Sequence, residues 1–211
     1  SPFIRGFDIS ERVLFELVCA VVRAAPFLLY NDRMMRSSRN RRMRPYIEAA
    51  LLVAIALVLS GFTLFKAPMG GSITLGSTIP ICIVGLRWGV VVGLLAGVNF
   101  GLLSFLVSGL FIGPGPFFMD YIFAYASLGL CGLFRFNPFM GIVVAQFFRL
   151  GFHVISGIIF FSAGKTFESA LIFSIQYNAF FLIPDVLIGL LLFSGLIKGG
   201  SQRLFEVNSS R

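Results

Sequence analysis

The chain has 211 residues, of which 57% are apolar and only 12% charged, with a net charge of +8. Soluble domains carry about 25% charged residues, so this balance and a mean hydropathy of +0.93 exclude a soluble fold, and the long unbroken apolar runs exclude a β-barrel. What remains is an all-α membrane protein, with room for six transmembrane helices at ~20 residues each and none for a soluble catalytic domain.

Residues 1–45 differ from the rest and read as a basic cytoplasmic N-terminal extension. Within it, ISERVLFELVCAVVRAAPFLLY (9–30) is apolar but interrupted by Glu16 and Arg23, which suits either an interfacial amphipathic helix or a weak additional span. The chain opens on Ser1, and Met34, Met35 and Met43 stand just ahead of the first strong span. The extension therefore reads either as a native leader or as sequence upstream of an internal start. RSSRNRRMR (36–44) abuts that span and is the basic flank expected on the cytoplasmic side, where it can also meet anionic headgroups. This placement accounts for the positive charge without nucleic acid.

The membrane domain runs over 46–198. YIEAALLVAIALVLSGFTLF (46–65) is the first span, KAPMGGSITLGS (66–77) a loop, and TIPICIVGL (78–86) a second, short span. The third is 88–112, closed by the breaker GPGP (113–116). FFMDYIFAYASLGLCGLF (117–134) is the fourth, 139–162 the fifth and 170–197 the sixth, followed by a cytoplasmic tail at 199–211. With both ends of this domain inside, the arginine cluster, Arg87, Arg135, Lys198 and Arg203 fall on the cytoplasmic side, and only Lys66 and Lys165 face out. Two small-residue series stand out. Gly89, Gly93, Gly97 and Gly101 recur every four residues and suit helix packing within the chain, whereas Ala50 and Ala54 suit either internal packing or a second subunit.

Three ionisable residues lie inside the apolar runs of spans four and five. Asp120 sits in the first turn of span four; Arg149 and His153 sit four residues apart in span five, on one helix face. A charge at bilayer depth persists only beside a partner, a cavity or a ligand. Gln176, Tyr177, Asn178 and Asp185 add polar groups from span six, and Tyr121, Phe161 and Phe173 add rings at compatible depth. A carboxylate, a guanidinium, an amide and flat rings suit a small polar organic ligand with an amino-heterocycle or a cationic ring. The alternative is that Asp120 and Arg149 only neutralise each other.

Other chemistries lack their residues. One His and scattered carboxylates make no metal spacing, Cys19, Cys82 and Cys131 are isolated apolar-segment residues, and there is neither a P-loop nor a nucleophile elbow. No cofactor is expected, and no enzyme activity.

With those residues in view, GGSITLGSTIPICIVGLRWG (70–89), LLAGVNFGLLSFLVSG (94–109), MDYIFAYASLGLCGLF (119–134), FHVISGIIFFSAG (152–164) and FSIQYNAFFLIPD (173–185) together resemble the ThiT/YuaJ family. These are thiamine-specific substrate-binding subunits (S components) of energy-coupling factor transporters, and the likeness spans about residues 46–197. The resemblance implies a six-helix protein of the S-component fold in the plasma membrane. It would capture thiamine from outside and work with a transmembrane coupling protein and two ABC-type ATPases. It also implies substrate-binding roles for Asp120, Tyr121, Arg149, His153, Phe161, Phe173 and Asn178, and a docking role for Ala50 and Ala54. Departures are present: some members have Glu, Lys, Trp and Tyr at the positions of Asp120, Arg149, Phe161 and Phe173, and a tryptophan ahead of span two is replaced here by Gly71. These swaps keep charge sign or ring while changing reach, which leaves a related pyrimidine or vitamin as an alternative ligand. A stand-alone secondary transporter is the alternative mechanism, although no inverted repeat is evident.

Overall fold

The computed structural model describes residues 38–67, 71–108, 111–164 and 166–198. Most of the expected N-terminal extension, and the tail at 199–211, lie outside these residues. Among the described residues there are six helices: α1 (Ser38–Gly61), α2 (Ile79–Trp88), α3 (Val90–Ser108), α4 (Pro114–Phe134), α5 (Pro138–Phe160) and α6 (Phe167–Lys198). Five of them are long and apolar enough to cross a membrane, and α2 is a shorter apolar helix. Large apolar side chains cover the outside of the bundle, among them Val91 (69% exposed), Leu106 (72%) and Phe147 (70%). A surface so apolar fits a protein solvated by lipid. The chain is a multi-pass helical membrane protein.

The segment expected as a loop is more ordered than the sequence suggests. Thr63–Lys66 (β1) and Ser72–Thr74 (β2) pair antiparallel, with Thr63 opposite Thr74, Phe65 opposite Ile73 and Lys66 opposite Ser72, and an irregularity between Thr63 and Phe65. A turn then leads into α2 through Gly76, whose φ of +68° is the left-handed conformation that glycine adopts without strain. This hairpin departs from a purely helical description. It escaped the sequence reading because strands of four and three residues carry no usable alternation.

α2 explains why the second span looked short. Ten residues rise only ~15 Å, about half of a hydrocarbon core, yet every residue from Ile79 to Arg87 is buried. The helix is apolar all round because it stands inside the bundle, with no lipid-facing side. Its neighbours include Leu52 and Ala56 of α1, Phe100 of α3, Leu128 of α4 and Phe193 of α6, which share its core.

The glycine series packs inside the chain. A Cβ at Gly93 would lie 2.7 Å from the Gly85 Cα and 2.8 Å from the Gly129 Cα; at Gly97 it would strike the Tyr125 carbonyl, and at Gly101 the Tyr121 carbonyl. Backbone therefore meets backbone between α3 and α4. Ala50 and Ala54 behave differently: both lie exposed on α1, beside exposed Leu51 and Val58.

Candidate ligand-binding site

A cavity opens at the end of the bundle that carries the hairpin, lined from α4, α5, α6, the hairpin and the Gly113 turn. Each of the seven residues singled out in the sequence lines it: Asp120, Tyr121, Arg149, His153, Phe161, Phe173 and Asn178. The helices bring them together by distinct local means.

Asp120 and Tyr121 lie on a π-helical stretch, Phe117–Phe123, within α4. Wide turns of this type are uncommon and occur frequently at functional sites. Here the stretch is pressed against Gly101, whose missing side chain admits the Tyr121 carbonyl, so the small residue of α3 seats the wall that carries Asp120. The carboxylate is engaged on both oxygens: Oδ1 lies 2.8 Å from His153 Nδ1, and Oδ2 accepts from Ser156 Oγ at 2.6 Å. Each carboxylate oxygen accepts two bonds, so acceptor capacity remains, and the side chain is 22% exposed. His153 Nε2 is buried and has no hydrogen-bond partner among the described residues.

Arg149 does not pair with Asp120. Its Nη1 donates to Asp185 Oδ2 and to Gln146 Oε1, both at 3.3 Å, while the guanidinium carbon sits 5.0 Å from the centre of the Tyr125 ring. The simple neutralisation of Asp120 by Arg149 is thus overturned, because the rotation of α6 brings Asp185 rather than Asp120 within reach of the guanidinium. Asp185 itself lies beneath the cavity, 1% exposed, and not in its wall. Asn178 is buried and donates to the Ser174 carbonyl one turn back on α6 at 2.9 Å and to the His153 carbonyl of α5 at 3.4 Å.

Aromatic faces complete the wall. Phe173, Tyr177 and Phe181 follow one another at four-residue spacing on α6; the first two rings stack at 6.3 Å and 17°, and the last two meet edge-on at 5.6 Å and 71°. Tyr177 Oη accepts the Gly71 N–H at 3.2 Å, tying the hairpin to α6. The Phe181 ring occupies the space into which a side chain at Gly71 would project. The ring absent from the hairpin is therefore supplied from α6. Tyr177, named among the span-six polar groups, lines the cavity, and so do Ser156, Ser174 and Phe181, which the sequence reading left out although their i+3 and i−4 relation to His153 and Asn178 was available to find them. Gln176, placed near the site from depth alone, is exposed on another face of α6. Trp88 lies outside the lining, next to Arg44 and Arg87.

Fold and cavity together define a multi-pass helical membrane protein with a polar, ring-lined chamber between its helices. Residues 46–204 match the thiamine transporter protein family model (Thia_YuaJ). The chain is 30% identical over 172 residues to the thiamine transporter ThiT of Bacillus subtilis (strain 168), covering 72% of this chain and 88% of that protein. It also resembles the solved structure of ThiT from Listeria monocytogenes, with a TM-score of 0.66 and 27% identity, over 78% of this chain and 98% of that one. The chain belongs to the thiamine transporter protein family, a family of transporters and not of enzymes.

Proposed function

We propose that this chain is the substrate-binding subunit of an energy-coupling factor importer, and that it takes thiamine into the cavity at the hairpin end. The observation that carries this reading is the charge balance of the site: two carboxylates, Asp120 and Asp185, stand against one guanidinium, and Arg149 is already turned to Asp185. Asp120 is left as a carboxylate with spare acceptor capacity beside Tyr121, Phe161, Phe173 and Tyr177. Thiamine presents a cationic thiazolium and an aminopyrimidine. A carboxylate suits the amino-heterocycle edge, and aromatic faces suit a flat cation. The family assignment supports the same ligand.

In this reading the hairpin end faces outside, and the basic end, with Arg42, Arg44, Arg87 and Arg135, faces the cytoplasm of a cell bounded by the plasma membrane. The exposed Ala50 and Ala54 on α1 allow close approach of a helix from the coupling protein, which in turn would carry the two ABC-type ATPases. The test is calorimetric titration of the purified protein with thiamine in detergent, without ATP. Binding in its absence is expected, because capture rests on the pocket alone. No heat up to millimolar thiamine would remove the ligand assignment and leave the fold unaffected. Trp88 is too far from the lining to serve as the reporter.

A further inference from the structure

Asp185 takes no part in the cavity wall, yet its carboxylate reaches both sides of it. Oδ1 accepts the Thr74 backbone N–H at 3.0 Å and the Thr74 hydroxyl at 2.7 Å; Oδ2 accepts from Arg149 at 3.3 Å. The network continues through Thr74 Oγ1 to Ser77 Oγ at 2.9 Å, and from Arg149 through Gln146 to Thr78 Oγ1, the last contact at 2.7 Å. All six side chains are buried. Strand β2 and the turn after it are non-helical backbone packed inside a membrane protein, and such backbone is tolerated only where protein groups satisfy it. Asp185 does so at the Thr74 N–H, and Gln146 donates to the Thr78 hydroxyl at the end of the turn.

Of these six residues, Arg149 is the one that also lines the cavity. Its grip on Asp185 is loose: 3.3 Å is long for a charge-assisted bond, which is normally 2.7–2.9 Å, and Arg149 Nε is buried with no hydrogen-bond partner among the described residues. A guanidinium held this way has donor capacity left for another acceptor.

We infer that Asp185 is a positioning residue for ligand capture: one buried carboxylate sets both the reach of Arg149 into the cavity and the seat of strand β2, so that these two walls are energetically coupled. This rests on the reading of the cavity as the ligand site. Thr74 and Arg149 have no hydrogen bond to each other among the described residues; Asp185 bonds both directly, and the other route, through Gln146, Thr78 and Ser77, is longer. A residue that only stabilised the fold would lower the melting temperature and leave affinity and the hairpin's local opening independent of Arg149.

The experiment has two arms, both on the full chain in detergent. In the first, hydrogen exchange at the Thr74 amide is followed without ligand. Asp185→Asn should speed it by about tenfold, since roughly 1.4 kcal/mol of local protection is a factor of ten. Arg149→Lys should also speed it, although Arg149 does not touch Thr74, while exchange within α3 stays unchanged. In the second arm, thiamine titrations should show about tenfold weaker binding for Asp185→Asn and about fivefold for Thr74→Val, which removes the hydroxyl that bonds Asp185 and Ser77. Thr74→Ser should restore affinity, and Asp185→Asn with Thr74→Val should bind no worse than Asp185→Asn alone. If Asp185→Asn does not fold, the Thr74 pair of variants and Arg149→Lys carry both arms. Thr74 exchange unmoved by Arg149→Lys, or folded Asp185 and Thr74 variants within twofold of wild-type affinity, would overturn the inference. If wild type binds no thiamine, the ligand reading fails on its own, and the exchange arm still decides whether Asp185 links Arg149 to the hairpin.

Discussion

The two ends of the bundle each bury a carboxylate with a guanidinium, and they use the pair differently. At the basic end, Glu48 of α1 meets Arg87 of α2 at 2.7 Å, with side chains 1% and 10% exposed. Trp88 stands beside it with the guanidinium groups of Arg87 and Arg44 at 5.5 and 5.9 Å from its ring, and Arg135, just past the end of α4, donates to the Arg87 carbonyl at 3.0 Å. Neither member of that pair lines the cavity. At the hairpin end, Arg149 and Asp185 lie 3.3 Å apart and share their atoms with other partners, and Arg149 lines the cavity. Both pairs incur a desolvation cost that charge attraction must offset. The short pair joins α1 to α2 and spends its charge on the fold, whereas the long one keeps donor capacity beside a space where a ligand can sit.

Breaking the short pair should have the largest effect. Glu48→Ala leaves Arg87 buried without its counter-charge and should cost about 3 kcal/mol or more of stability, read as a lowered melting temperature in detergent. The thiamine affinity of the protein that remains folded should not change; a matching loss of affinity would erase the distinction between the two ends.

Asp120→Asn should do the reverse. It should weaken thiamine binding by about 2 kcal/mol, the loss of a charged hydrogen bond in a dry site, while the melting temperature moves little. Equal affinity in mutant and wild type would remove Asp120 as a ligand contact.

Gly71→Ala should have a smaller effect, about 1 kcal/mol of lost affinity, because its Cβ must displace the Phe181 ring from the wall. Adding Phe181→Ala relieves the collision, so the double variant should show no further strain penalty, which a two-by-two titration series resolves. Replacing Ala50 and Ala54 with Leu should leave the isolated subunit within about 0.5 kcal/mol of wild type in stability. In a co-purification assay the same change should abolish capture by the coupling protein. Loss of thiamine binding in the isolated double variant would show instead that this face packs within the chain.

Much of the cavity end was legible because polar residues in apolar helices have few tolerable places to go. Arg149 and His153 at i and i+4 had to share a face, and Asp120 and Asn178 stand out against apolar neighbours. Which acid met which base was not legible. The choice of Asp185 over Asp120 for Arg149 depends on how α6 is rotated against α5, and residue spacing within either helix does not contain that angle. Glu48 was passed over although it lies within the first span: it stands close to the arginine run, and the sequence does not show that α1 turns it inward onto Arg87. The π-helical stretch at Phe117–Phe123 left no mark in the residue pattern, since a single wide turn shifts the period by less than a short segment can reveal.

The backbone contact between α3 and α4 has a mechanical consequence. Side chains can exchange rotamers to absorb a displacement, but the carbonyls of Tyr121 and Tyr125 seated against Gly101 and Gly97 have no such slack. The wall bearing Asp120 is stiff. The opposite side, a hairpin of three residue pairs held to α6 by Tyr177 and Asp185, is compliant by comparison. Any change of volume that a guest demands falls on that side, so the residence time of a guest should be governed by the bonds that hold the hairpin down rather than by the helices behind it.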